Sequence, residues 1–296
     1  MGTAIAERLL DGGYELVVHS RTRSKADALE ARGAAVADTV DELAERADVV
    51  LTSLPSDEAF EAVAGDILAA ARPGTVLADL STVSSTVSAR VASLADAASV
   101  RYLRAPVSGN PTVVRAGNLT FIVSGSQETL EAVEPVLRAV GPTIHYVGDG
   151  EQARIVKLAV NLMIAILAQS ISEALVFGEA SGVSRAALLE VMGSSAVGAP
   201  FVKYKTDPLL RDDYSATFTT ALMEKDIDLI LEAAGEAGVE LPLAREMKTH
   251  LRATAEAGYA DDDFIALFRY LRSASRLDEA EALPSTNTQP DQEVVR

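Results

Sequence analysis

The chain has 296 residues, room for about two domains at ~150 residues each, and its 48% apolar and 23% charged content excludes wholesale disorder and collagen-like repeats. Its 43 acidic side chains against 26 basic ones give a formal charge of −17, which repels nucleic acid and anionic membranes but leaves room for an anionic metabolite in a local basic pocket. The absence of cysteine excludes disulfides, thiol nucleophiles and thiolate metal sites, and with three histidines scattered along the chain no metal centre is expected.

Nothing basic-then-apolar opens the sequence, so it reads as a soluble, cytoplasmic protein. It starts Met1-Gly2-Thr3-Ala4-Ile5-Ala6 and continues through Leu9-Leu10 to Gly12-Gly13-Tyr14 and a strand at 15–19. Helix, Gly-Gly-Tyr and strand is the order that follows the third glycine of a G-x-G-x-x-G dinucleotide fingerprint, with Gly2 as that glycine. The strand and two glycines that would come before it are missing. The sheet is therefore expected to lack its first strand, and the chain as written to bind a dinucleotide weakly. The strand ends His19-Ser20-Arg21-Thr22-Arg23, without the acid that holds a ribose diol in NAD sites. Two guanidiniums there suit a 2′-phosphate, though the same residues also make an ordinary solvated turn.

Further strands are expected at 48–53, 75–79, 101–103, 119–123 and 143–146, alternating with helices at 25–32, 58–71, 85–97 and 127–139. That alternation implies βαβ units and a mostly parallel sheet. Ser56 before an acidic first turn and Pro73-Gly74 after the helix support the phasing. Two strand ends are small and hydroxylated: Asp79-Leu80-Ser81-Thr82, and Ala105-Pro106-Val107-Ser108-Gly109-Asn110. Ligands in open α/β sheets lie beyond such carboxyl ends. The backbone N–H groups at Ser108-Gly109 can form a nest for a carboxylate, or simply a loop.

After residue 150 the strand signal stops. Residues 151–180 read as one helix, apolar on nearly every side, and so buried at the centre of a domain or dimer. Its longest unbroken apolar run, 162–168, is far short of the ~20 residues of a membrane span. Lys157 and Asn161 stand four apart on one face of it. A lysine buried there has a pKa lowered toward acid–base work; the bland reading is one snorkelling from a helix end. Helices follow at 185–192, 219–237, 243–257 and 262–277, with Glu224-Lys225-Asp226 heading an amphipathic stretch. The divisions are 1–149, an α/β dinucleotide domain; 150–283, all-helical; and 284–296, a polar, disordered tail.

In this order the motifs resemble the β-hydroxyacid dehydrogenases, relatives of 3-hydroxyisobutyrate and 6-phosphogluconate dehydrogenases. The resemblance spans residues 1 to about 278. It is carried by Met1-Gly2, His19-Ser20-Arg21-Thr22, Leu54-Pro55, Asp79-Leu80-Ser81-Thr82 and Ala105-Pro106-Val107-Ser108-Gly109. Gly148-Asp149-Gly150 leading to Lys157-Leu158-Ala159-Val160-Asn161, and Lys225-Asp226-Ile227-Asp228-Leu229, complete it. It implies a Rossmann-type doubly wound domain, a long interdomain helix, a helical domain that completes a partner's site, and a homodimer or homotetramer. By the same resemblance Lys157 is the acid–base, Asn161 positions the substrate oxygen, and Ser108 and Gly109 hold the carboxylate of a small substrate. Asn110 stands where the family usually has a second glycine and joins that substrate set. Leu54, Pro55, Thr82 and Lys225 contact the cofactor, and Arg21 with Thr22 its 2′-phosphate, making NADP the expected cofactor ahead of NAD. The implied reaction interconverts a small β-hydroxy acid and its semialdehyde or oxo acid. The alternatives are imine reduction on the same fold and a truncated, non-catalytic binding protein.

Overall fold

The computed structural model describes residues 1–277; the expected tail at 284–296 lies outside them. In chain order the first elements are α1 (Gly2–Asp11), β1 (Val17–Val18), α2 (Arg23–Glu30), β2 (Ala35–Val36), α3 (Val40–Arg46) and β3 (Val49–Thr52). Then come α4 (Asp57–Ala70), β4 (Val76–Asp79), α5 (Ser85–Ala97), β5 (Arg101–Arg104), β6 (Val107–Ser108) and α6 (Pro111–Arg115). The α/β half closes with β7 (Thr120–Gly125), α7 (Gln127–Val140) and β8 (Thr143–Gly148). The helical half runs through α8 (Gln152–Ala180), α9 (Arg185–Ser194), α10 (Pro200–Arg211), α11 (Thr220–Glu236) and α12 (Pro242–Thr254). A π turn at Ala255–Tyr259 and a 3₁₀ turn at Phe264–Ala266 lead to α13 (Leu267–Ala274).

Side-chain caps set where the helices begin. The hydroxyls of Ser56, Ser84 and Ser126 accept from the backbone N–H three residues on, at 3.3, 3.1 and 3.4 Å, and start α4, α5 and α7. Asp57 and Glu58 add negative charge in the first turn of α4, where the helix dipole favours it.

The sheet is in two pieces. β1 and β2 form a parallel ribbon of their own, not bonded to the larger sheet. In the larger sheet β3, β4 and β5 run parallel, β7 runs antiparallel to β5, and β8 runs parallel to β7. The expected mostly parallel sheet is thus mixed, with a discontinuity beside β3 where a doubly wound sheet carries its central strand. β5 and β6 share one edge of β7, pairing Arg104 with Ser124 and then Val107 with Phe121. Ser108 therefore lies further along, past the carboxyl ends of β3 to β5.

β4 is buried at all four positions, as a strand covered on both faces must be. One layer beside it is built from Ile5, Leu9, Val114 and Leu137, the other from Phe60, Ile67, Val87 and Val91. A separate core of Leu158, Leu175, Ile227, Leu251 and Phe268 holds the helical half. α8 belongs to both halves, packing against β7 and β8 at its start and against α11, α12 and α13 along its length.

α8 is long and apolar enough to cross a membrane by length and composition, with a mean hydropathy of 1.8. Its buried polar residues Arg154, Asn161, Gln169 and Ser172 instead turn into the protein. Within the single chain its burial is one-sided: Ile155, Met163 and Phe177 are 47, 74 and 75% exposed. No element among the described residues covers them.

Candidate active site

The carboxyl end of β4 carries a closed polar knot. Asp79 is fully buried. Its Oδ1 accepts from the Thr52 hydroxyl at the end of β3 (2.6 Å) and from the Ser81 hydroxyl (2.7 Å). Its Oδ2 takes Nη2 of Arg154, from the first turn of α8, at 2.6 Å. Arg154 also donates to the Ser81 carbonyl (2.8 Å), the Tyr102 hydroxyl (2.8 Å) and the Ser88 hydroxyl (3.2 Å). The Ser81 hydroxyl in turn accepts from the Leu54 N–H at 2.8 Å. One buried carboxylate thus fixes both loops expected to face a cofactor, Leu54-Pro55 and Ser81-Thr82.

One turn along α8, Lys157 donates from Nζ to Oδ1 of Asn161 at 2.8 Å. Asn161 Nδ2 donates to Oδ2 of the fully buried Asp226 at 2.5 Å, and Asp226 Oδ1 faces Lys225 Nζ at 2.7 Å. Lys225 Nζ also donates to the Thr82 carbonyl at 2.7 Å. Lys157, Asn161, Asp226, Lys225 and Thr82 are thereby one chain of contacts that crosses from the helical half to the loop after β4. Burial pushes the Lys157 ammonium down to about 8; the Asp226 carboxylate opposes that shift and the Lys225 charge adds to it. A lysine in that range can hold or release a proton near neutral pH.

Other expected residues stand apart from this chain. Gly109 has φ +144° and an added Cβ would meet Leu119 Cδ1 at 2.9 Å, so this turn needs glycine. Asn110 spends its side-chain oxygen capping α6, accepting from the Val113 N–H at 3.0 Å. Its place beside Gly109 is therefore explained by local structure. At Gly2 the nearest atom to an added Cβ is Ser53 Cβ at 3.9 Å, an ordinary contact, so packing does not demand glycine at that position. Arg21 is exposed and makes no ion pair among the described residues, whereas Arg23 pairs with Asp27 and Asp38. Thr22 is the N-cap residue of α2.

Sequence reasoning assigned no role to Arg154 or to the carboxylates of Asp79 and Asp226. Arg154 had a visible signal: a cation in the first turn of an apolar helix opposes the helix dipole and requires an acid from elsewhere.

Two family models match the chain in succession: the NAD binding domain of 6-phosphogluconate dehydrogenase matches residues 1–148, and the NAD-binding domain of NADP-dependent 3-hydroxyisobutyrate dehydrogenase matches 151–271. The chain belongs to the β-hydroxyacid dehydrogenase family. The boundary between the two matches coincides with the start of α8. This dehydrogenase is 32% identical over 274 residues to the NAD-dependent L-serine dehydrogenase of Pseudomonas aeruginosa, covering 89% of this chain and 92% of that one. It superposes on the Mycobacterium tuberculosis 3-hydroxyisobutyrate dehydrogenase solved with L-serine, with a TM-score of 0.83, 32% identity and coverage of 92% and 96%. A structure of Psf3 in complex with NADP+ and 2-OPP gives a TM-score of 0.84 at 25% identity, covering 92% and 96%.

Proposed function

We propose that this enzyme interconverts a small β-hydroxy acid and its oxo acid or semialdehyde, with Lys157 as the acid–base and NADP as the preferred cofactor. The observation that carries the reading is the Lys157–Asn161–Asp226–Lys225–Thr82 chain. It sets a lysine with a lowered pKa on the side of the carboxyl strand ends where dinucleotide and substrate meet in this fold.

The residues fit a dinucleotide. Arg21 is an exposed guanidinium on the turn after β1, without an ion pair among the described residues, and suits a 2′-phosphate. Leu54, Pro55 and Thr82 stand on the loops beyond β3 and β4, Lys225 reaches the Thr82 carbonyl from α11, and Gly2 opens α1, whose N-terminus favours an anion. When bound, the cofactor supplies or accepts hydride at its nicotinamide ring. Ser108 and Gly109 bind the substrate carboxylate and orient the reacting carbon. In oxidation Lys157, as free amine, takes the hydroxyl proton; in reduction its ammonium returns it to the carbonyl oxygen. Asn161 holds the Lys157 ammonium through its oxygen, and its second amide hydrogen remains for the substrate oxygen.

We further propose that a second copy of the chain covers the Ile155–Met163–Phe177 stripe of α8, since exposed large apolar groups aligned on one helix face mark an interface. Light scattering at micromolar concentration then gives a dimer or larger, and a monomer refutes it.

The activity test is cofactor reduction with 3-hydroxyisobutyrate, L-serine and related short hydroxy acids, using NADP+ and NAD+ in parallel. Turnover of at least one acid that is lost in Lys157→Ala is the expected result. A Lys157→Ala enzyme with full activity refutes the role given to the lysine.

A further inference from the structure

The contacts around Lys157 close into a ring. From Arg154 they pass to the Ser81 carbonyl, along the backbone to Thr82, through its carbonyl to Lys225, then to Asp226, Asn161 and Lys157. α8 joins Lys157 back to Arg154, three residues and about 4.5 Å of helix rise away. We propose that Arg154 is a positioning residue, fixing where Lys157 stands relative to the Leu54-Pro55 and Ser81-Thr82 loops. This deepens the function proposed above and rests on it.

The geometry of the guanidinium carries the inference. Arg154 is 1% exposed and makes four hydrogen bonds to four residues from three elements and a loop: Asp79 on β4, Ser88 on α5, Tyr102 on β5 and the Ser81 carbonyl. A planar fork held at four points fixes both the rotation of α8 about its axis and its height above the sheet. A lysine, with three donors on a flexible stem, cannot reproduce that. Asp79 has its second oxygen on Thr52 and Ser81, so the same carboxylate sets the loops. A buried ion pair is weak support for stability, because apolar residues of similar volume often serve as well. What apolar packing does not supply is a fixed register between two domains, one turn from the acid–base. Displacements of about 1 Å at such a site cost on the order of a hundredfold in rate.

The test compares Arg154→Lys, Arg154→Met and the charge-balanced double variant Asp79→Asn/Arg154→Met in the full chain. Arg154→Lys is expected to lower kcat ten- to a hundredfold while KM for the hydroxy acid stays within about threefold. Arg154→Met leaves Asp79 uncompensated and lowers Tm; the double variant recovers Tm but not kcat. A double variant that recovers kcat together with Tm shows a purely structural role and overturns the proposal. Competitive acetylation of Lys157 across pH, read by mass spectrometry, needs no turnover. Its midpoint lies at about 8 in the native chain, and in Arg154→Lys it moves up toward the ordinary lysine value. An unmoved midpoint overturns the proposal. If the native enzyme turns over no hydroxy acid, the proposed activity falls, and the labelling still decides the role of Arg154.

Discussion

Arg21 and Arg154 carry the same guanidinium into opposite surroundings. Arg21 stands exposed on the turn after a two-residue strand, without an ion pair among the described residues. Arg154 is buried against Asp79 with every contact satisfied by named partners. The rim around Arg21 is bound to the larger sheet by no strand pairing, whereas the knot around Arg154 ties three strands, one helix and a loop to α8. The rim can change its charge without consequence for the fold, so it suits the choice of ligand. The knot cannot, so it suits geometry.

The largest effect separating the two regions is expected at Lys157, on the knot side. Lys157→Met should lower kcat by about 10²–10⁴, the usual contribution of a general acid–base. It should at the same time raise stability at pH 7 by about 1–3 kcal/mol in urea denaturation, because the native state no longer holds a charge it disfavours. Next comes Arg154→Met, which leaves the Asp79 charge buried and alone and should cost about 3–5 kcal/mol in the same measurement. At the rim, Arg21→Ala should weaken NADPH by about 1.5–3 kcal/mol in calorimetry and leave NADH almost unchanged; equal losses for both cofactors would break the comparison. Arg23→Ala, which removes exposed ion pairs with Asp27 and Asp38, should leave Tm unchanged.

The pH dependence sharpens the same contrast. With Lys157 as the proposed acid–base and its ammonium pushed down to about 8, oxidation is expected to rise with pH through that value, since it would use the free amine. Reduction, which would use the ammonium, is expected to fall across the same range. Stability also responds. The unfolded chain keeps the lysine proton up to its ordinary value of 10.5 while the native chain loses it near 8. Between those values the unfolded state binds more protons, so the Lys157 contribution to stability rises with pH. Denaturation midpoints that fall for the native chain relative to Lys157→Met over that interval would contradict it.

Much of this was legible in the chain. The helix at Ser85–Ala97 matches the structure at both ends, because a Ser84 cap and a Pro-free run mark it. α8 was expected within one residue of its start. β2 and β6 escaped notice because two-residue strands carry no alternation to read. α10 was hidden by Pro208 inside it, although Pro200 at its first turn was a usable signal. At the site, Lys157 and Asn161 were visible through their four-residue spacing. Asp79, Arg154 and Asp226 come from three distant segments, and spacing along one helix says nothing of partners that the sheet brings to it.

The ring through Arg154 also bears on how the chain unfolds. Its link from Lys225 to the Thr82 carbonyl joins residues 143 positions apart in the two halves, so the ring cannot close before both have condensed. α8 begins among the strands and ends in the helical core, so neither half can melt without exposing one end of it. Probes placed in the sheet and in α13 should therefore report a single coincident transition, and in Arg154→Met two separated ones.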